Sequence, residues 1–412
     1  MNQKQYGLFS IPVIVAALGY FVDIYDLLLF TIVREPSLRD LGVTDATMIS
    51  ASTTIINWQM IGLLIGGIIW GVMGDKRGRL SVLFGSILLY SVANFLTGYV
   101  TTIGQYSSAR FVAGLGLAGE LGAGITLVSE LLPKNKRGIG TSLVAGIGLF
   151  GAVFAYATFS LTDHDWRLCY KIGGVLGIVL LFMRISVSES GMFRQVKLEQ
   201  NVKRGSLLMF FTNGERFRKY ILAILIGLPT WFVIGILVNY SNRFADALYG
   251  ENSIDSGKAI MYAYIAIAIG DILIGLVSQY FKSRKKALYL FYLFTIVSTI
   301  FFFSSLNTND TTMYLVCTAL GFSTGFWAIF VTMGAEQFGT NLRATAATTI
   351  PNMVRGSLPL LNLLFKDLLQ DNLHWNIVRS GITTGCLAIL IGLVAVWLTK
   401  ETFHKDLNYV EK

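Results

Sequence analysis

Between Asp45 and Asp75 the chain carries no ionisable side chain, and the run then breaks off in "GDKRGRL", one acid and three bases set among glycines. A helix needs about 20 mainly apolar residues to cross the hydrocarbon core. Backbone polar groups in lipid must be satisfied inside the segment, so a helix is the form such a run takes. The pattern recurs along the chain. Spans are predicted over 8–33, 50–73, 80–100, 104–131, 138–161, 167–187, 219–242, 257–281, 286–304, 311–336, 343–365 and 376–399. Composition agrees: 54% of residues are hydrophobic and 14% charged, where soluble proteins carry about 25% charged residues. The expected class is an all-α membrane protein with twelve transmembrane helices.

The net charge of +9 is placed in a way that points to a bilayer and away from nucleic acid. Lys76, Arg77 and Arg79 follow the second span, Lys134, Lys136 and Arg137 the fourth, and Lys282, Arg284, Lys285 and Lys286 the eighth. Between the sixth and seventh come Arg194, Lys197, Lys203, Arg204, Arg216, Arg218 and Lys219. Alternating helices put all these connections on one side, which the positive-inside rule makes cytoplasmic together with both termini. Arg34, Arg39 and Arg243 lie on the other side, which is poorer in bases. No short cleavable leader precedes 8–33, so that span is expected to be retained. Cys169, Cys317 and Cys386 show no metal-site spacing.

The chain also repeats itself. "SELLPKNKRG" follows the fourth span and "AEQFGTNLRA" the tenth; in each a glutamate precedes an arginine by the same interval, Glu130 to Arg137 and Glu336 to Arg343. Two pseudo-symmetric six-helix bundles follow, residues 1–187 and 219–412, joined by a charged linker, 188–218. Repeated halves with a midplane site between them mark a transporter. "GLVSQYFKSRKK" is a degenerate copy of the first loop, with Gln279 in the place of Asp75.

"GVMGDKRGR" resembles the loop motif of the major facilitator superfamily, with Gly71, Asp75, Gly78 and Arg79 at its spacing. "SARFVAGLGLAGE" resembles the fourth-helix motif centred on Arg110. "SELLPKNKRG" and "VDIYDLLLF" are similar to patterns of sugar porters and metabolite:proton symporters. The fifth span, "GIGLFGAVFAYATF", lacks the glycine-proline motif of drug antiporters. The resemblance implies the two-bundle fold and a proton-coupling role for the first-helix acid and the fourth-helix arginine.

Physical reasoning on the residues runs beside it. Asp75 ends the second span, where it can accept hydrogen bonds from a neighbouring helix start and latch one half to the other; Glu130, Arg137, Glu336 and Arg343 join it as latch candidates. An ionisable group at membrane depth is costly and calls for a named partner. Asp26 and Arg110 lie at matching depths, roughly 10 Å below the outer surface. They are expected to pair, and breaking such a pair favours protonation of an acid. Asp23, one helical turn earlier on the same face, is a candidate either to carry the proton or to contact substrate. Arg355, with a planar fork suited to a carboxylate, is expected opposite Asp271. Asn239, Trp327, Asn352 and Glu120 are further cavity candidates. Pro351 and Pro359 bracket Arg355 and mark a gate. The remaining tyrosines and phenylalanines are read as lipid-facing or core.

Two enzyme-like patterns fail on context. "GLGLAG" matches dinucleotide-binding spacing, yet no strand precedes it; its glycines suit tight helix packing. "GFSTG" matches a hydrolase elbow, but lies within a span, and His164, His374 and His404 lie in loops or the tail. The expected function is therefore secondary active transport by alternating access, not catalysis, with no cofactor or metal. Proton symport of a small organic anion by a monomer in a bacterial inner membrane is the leading expectation. Proton-driven export of a metabolite or chelator, and a transporter-like sensor without net flux, are the alternatives.

Overall fold

The computed structural model describes residues 7–133, 136–186, 207–250, 253–304 and 306–411. Lys134, Arg194, Lys197, Lys203 and Arg204, and most of the expected linker 188–218, lie outside the described residues. Among the described residues there is no strand. Helices α1 (Ile11–Asp40), α2 (Asp45–Arg77) and α3 (Arg79–Thr97) are continuous. Next come α4 (Ile103–Leu131), α5 (Arg137–Leu161) and α6 (Trp166–Met183). The second half repeats the plan with α7 (Gly214–Val238), α8 (Ser256–Tyr280), α9 (Arg284–Phe302), α10 (Asp310–Glu336) and α12 (Ile377–Leu398).

These eleven are long and apolar enough to cross a membrane. The twelfth crossing, α11, is assembled from Arg343–Arg355, Leu358–Asn362 and the π-helical Leu363–Asn372. Pro359 supplies no backbone N–H, and the chain turns at Gly356 and Ser357, so no single stretch satisfies the length of a span. Helix α7 begins at Gly214, ahead of the expected 219, because the Asn213 side chain caps it by accepting from Glu215 and Arg216 N–H groups.

Several helices are broken, and the breaks fall where they pack. Gly114 and Gly116 let α4 lie backbone-close to its neighbours: a Cβ at Gly114 would collide with the Gln59 carbonyl, and one at Gly116 would sit 2.6 Å from the Tyr90 nitrogen. The apparent dinucleotide motif is thus a helix contact. Within α7, Pro229 is followed by a π-helical turn, Val233–Val238, which absorbs the lost hydrogen bond. Helix α10 divides into Asp310–Ser323 and Trp327–Glu336.

Between the halves, α2 packs on α11 and α5 on α8. The two pairs are related by the repeat, as expected of two similar bundles facing each other. The residues after α12 fold back over the basic face. Thr340 N–H donates to the Tyr409 carbonyl at 2.8 Å, Arg343 to the Leu407 carbonyl, and Arg284 N–H to Glu401 at 3.0 Å. Lys405 of this tail donates to the Gln337 carbonyl and the Tyr409 hydroxyl, and burial pushes its pKa down to about 8.

Candidate functional site

The basic face is closed by a charged cluster that joins the halves. Asp75, buried at the end of α2, accepts from Thr345 N–H at 2.8 Å, Thr345 Oγ1 at 2.7 Å and Ala344 N–H at 3.1 Å. These are the first turns of α11, whose free N–H groups carry partial positive charge. Thr345 Oγ1 also donates to the Gly71 carbonyl, 3.1 Å away. Gly78 stands at φ +109°, a region only glycine enters without strain, and lets the chain reverse directly into Arg79.

Arg79 then donates to Glu130 at 2.8 Å and to the Thr340 carbonyl across the interface at 3.2 Å. Glu130 also accepts from Arg343 of the other half at 3.3 Å. The repeat is visible in the side chains: Arg284 bonds Glu336 at 3.1 Å as Arg79 bonds Glu130. It is not complete. Arg137 donates to the Leu132 carbonyl of its own loop at 3.1 Å, and Glu336 takes its second partner, Thr402, from the tail.

Deeper, a small cavity of about 30 Å3 lies between the halves. Tyr20, Ile24 and Leu27 of α1 form one wall; Thr230 and Trp231 of α7, Tyr264 of α8, Trp327 of α10 and Arg355 of α11 form the other. Arg355 Nη1 donates to Asn352 at 3.1 Å, and its guanidinium stands 5.8 Å from the Trp327 ring centroid. Among the described residues no carboxylate is within ion-pairing distance of it. Trp327 and Arg355 were predicted for this wall, whereas Tyr20, Thr230, Trp231 and Tyr264 were not. Tyrosine in an apolar helix has no sequence mark separating cavity from lipid.

The acids differ from expectation in their partners. Arg110 donates to the backbone carbonyl of Asp26 at 2.9 Å and to Asn94 Oδ1 at 2.7 Å, so the expected carboxylate pair is replaced by a backbone contact. The Asp26 carboxylate, buried under Gly173, accepts no hydrogen bond among the described residues, and neither does that of Asp23. Asp271 is not the partner of Arg355. Its Oδ1 accepts from Ala328 N–H at 2.9 Å and anchors the second segment of α10, leaving Oδ2 unpartnered.

Glu120 is committed within the first half. Arg184 grips it with two bonds, 2.5 and 2.8 Å, and Ser86 adds a third at 2.8 Å. Arg184 also donates to the Leu83 carbonyl, tying α6 to α3 and α4. Sequence reasoning missed Arg184, a lone base at the end of a span with no motif around it. Asn352 donates to the Ala118 carbonyl of the other half at 3.0 Å. Asn239 follows the π turn of α7, half-buried and away from the cavity wall.

Twelve crossings in two facing halves, a charged clamp on one face and a small cavity between the halves define a transporter fold. Residues 14–361 match the Major Facilitator Superfamily, and the chain belongs to that family; it is a transporter and not an enzyme. The chain is similar to the inner membrane metabolite transport protein YhjE of Escherichia coli, 29% identical over 88% of this chain and 87% of that protein. It is also similar to the niacin transporter NiaP of Acinetobacter baylyi, 24% identical over 81% of each. Its fold matches the proton:xylose symporter XylE with a TM-score of 0.79 at 16% identity, over 97% of this chain and 98% of that one.

Proposed function

We propose that this chain is a proton-coupled symporter of a small organic anion, working by alternating access. The observation that carries the reading is Arg355, a buried guanidinium on the cavity wall with no carboxylate of the protein bound to it. A buried cation without a counter-charge is expensive, and an anionic substrate removes the cost. Its fork suits a carboxylate in two-point contact. Similar proteins bearing the names niacin transporter, gentisate transporter and cis,cis-muconate transport protein lend support.

Protons enter through Asp26 and Asp23, whose carboxylates have no hydrogen-bond partner among the described residues. Arg110 holds the Asp26 carbonyl and leaves the carboxylate available to take up a proton. The two bundles, 1–187 and 219–412, are the moving bodies of this scheme, and the basic face, with both termini, is cytoplasmic in a bacterial inner membrane. The monomer is the working unit.

Proteoliposomes loaded at high internal pH and diluted into acidic buffer test the reading. Small carboxylates are expected to accumulate only while the pH gradient lasts. Accumulation driven by the opposite gradient would make the protein an exporter, and binding without flux would make it a sensor.

A further inference from the structure

Four polar groups on the cavity wall find no partner among the described residues: Nε of Arg355, the indole N–H groups of Trp231 and Trp327, and the hydroxyl of Thr230. None of these residues is more than 8% exposed. An unsatisfied buried polar group costs on the order of 1–3 kcal/mol. Four around one small cavity therefore describe what belongs there.

The set is lopsided. Guanidinium and indole groups donate and never accept, and only the hydroxyl does both. A ligand matching them presents acceptors. One fixed positive charge suits one carboxylate, whose two oxygens engage the Arg355 fork, and the indole N–H groups then call for a further acceptor elsewhere on the ligand. A second carboxylate is disfavoured, because Arg355 is the one base among the described residues that line the cavity.

Shape follows from the rings. Tyr20, Trp231, Tyr264 and Trp327 surround the cavity, two of them indoles. Aromatic pairs add ~0.5–1.5 kcal/mol beyond area burial when offset-stacked or edge-to-face. At about 30 Å3 the cavity holds little more than one or two water-sized bodies. A flat ring requires the least widening.

We infer that the cavity takes a planar aromatic monocarboxylate bearing a second hydrogen-bond acceptor in or on its ring. The carboxylate lies on Arg355, and the second acceptor receives the indole N–H of Trp327 or Trp231. This rests on the anion reading above, and it narrows that reading from any small organic anion to one chemical class.

Binding to the purified full-length chain in detergent, measured by calorimetry, tests it. The probes are benzoate, pyridine-3-carboxylate, cyclohexanecarboxylate, benzene-1,4-dicarboxylate and benzylamine. Benzoate should bind at least roughly fivefold tighter than cyclohexanecarboxylate, the fold-change that ring contacts supply. Pyridine-3-carboxylate should bind tighter still, and the dicarboxylate and the amine much more weakly. Trp231→Phe combined with Trp327→Phe keeps the rings and removes both N–H groups. Thermal unfolding certifies the fold of that variant, in which pyridine-3-carboxylate should bind no tighter than benzoate. Equal affinity for benzoate and cyclohexanecarboxylate overturns the inference and leaves the anion reading standing. So does an advantage of pyridine-3-carboxylate that survives the double variant. Binding of benzylamine in preference to every carboxylate, or of no carboxylate at all, overturns both.

Discussion

Asp75 accepts a 2.8 Å hydrogen bond from the backbone N–H of Thr345, 270 residues further along the chain and in the opposite half of the molecule. The bond ties the end of α2 to the start of α11 and makes one carboxylate a cap for a helix it does not belong to. The symmetric position on the α5–α8 side carries Gln279, whose amide nitrogen has no partner among the described residues. The two interfaces therefore differ in this hydrogen bonding although their helices are related.

Replacing Asp75 with asparagine keeps its size and removes the charge facing the helix start. Losing such a cap costs about 0.5–2 kcal/mol, so the closed state of the basic face should lose population by roughly two- to thirtyfold. A cysteine introduced at Thr141, which meets Thr332 across the interface at 3.1 Å, should be labelled faster in the Asp75→Asn background. Transport should slow while ligand affinity changes little. Unaltered labelling and transport rates would leave Asp75 a topogenic loop residue only.

The helices and this loop were legible in the sequence because each is a local pattern: apolar runs of fixed length, and an acid and bases at fixed intervals from glycines. Partner choice was not. Arg110 and Asp26 lie at matching depth, yet the guanidinium chooses the carbonyl and leaves the carboxylate unbonded. Asp271 lies on the right helix to face Arg355, but the break in α10 exposes the N–H of Ala328, and the acid goes there instead. Both outcomes turn on helix ends and irregular turns, where backbone groups compete with side chains, and hydropathy carries no sign of them.

Glu120 and Arg184 form a pair almost wholly inside the protein. Removing one member of a buried ion pair typically costs ~3–5 kcal/mol, whereas replacing both with apolar residues is often neutral. Glu120→Gln should therefore lower thermal stability sharply, and Glu120→Leu with Arg184→Met should restore most of it. Thermal unfolding in detergent reads the contrast. If Glu120→Gln unfolds like the unaltered chain but no longer binds ligand, the acid belongs to the substrate site and its role as a tie between α3, α4 and α6 is wrong.

The Asp26→Asn substitution removes the titratable oxygen without changing the Arg110 contact, which goes to the backbone. Accumulation driven by a pH gradient should vanish, while exchange of substrate across the membrane continues. Asp23→Asn, tested in parallel, separates the two acids. Should gradient-driven accumulation persist in Asp26→Asn and fail in Asp23→Asn, the proton resides on Asp23, nearer the cavity.

Arg355 and Asp271 make separable predictions because the structure does not pair them. Arg355→Lys keeps a positive charge and loses the planar fork, so affinity for a carboxylate should fall, by about 1–2 kcal/mol if one charge-assisted bond is lost. Arg355→Ala should lower it further. Asp271→Asn leaves an acceptor for Ala328 N–H but weakens the anchor of the Trp327–Glu336 segment, and its effect should reach the ligand through the position of Trp327. A double-mutant cycle on ligand affinity decides between the arrangements. Independent action predicts additive losses within about 0.5 kcal/mol. Had Asp271 neutralised Arg355, removing both would cost far less than the sum, since the second substitution would relieve the charge stranded by the first. Strong non-additivity of that sign would restore the ion pair; a cationic ligand bound equally well by Arg355→Ala would remove Arg355 from the site altogether.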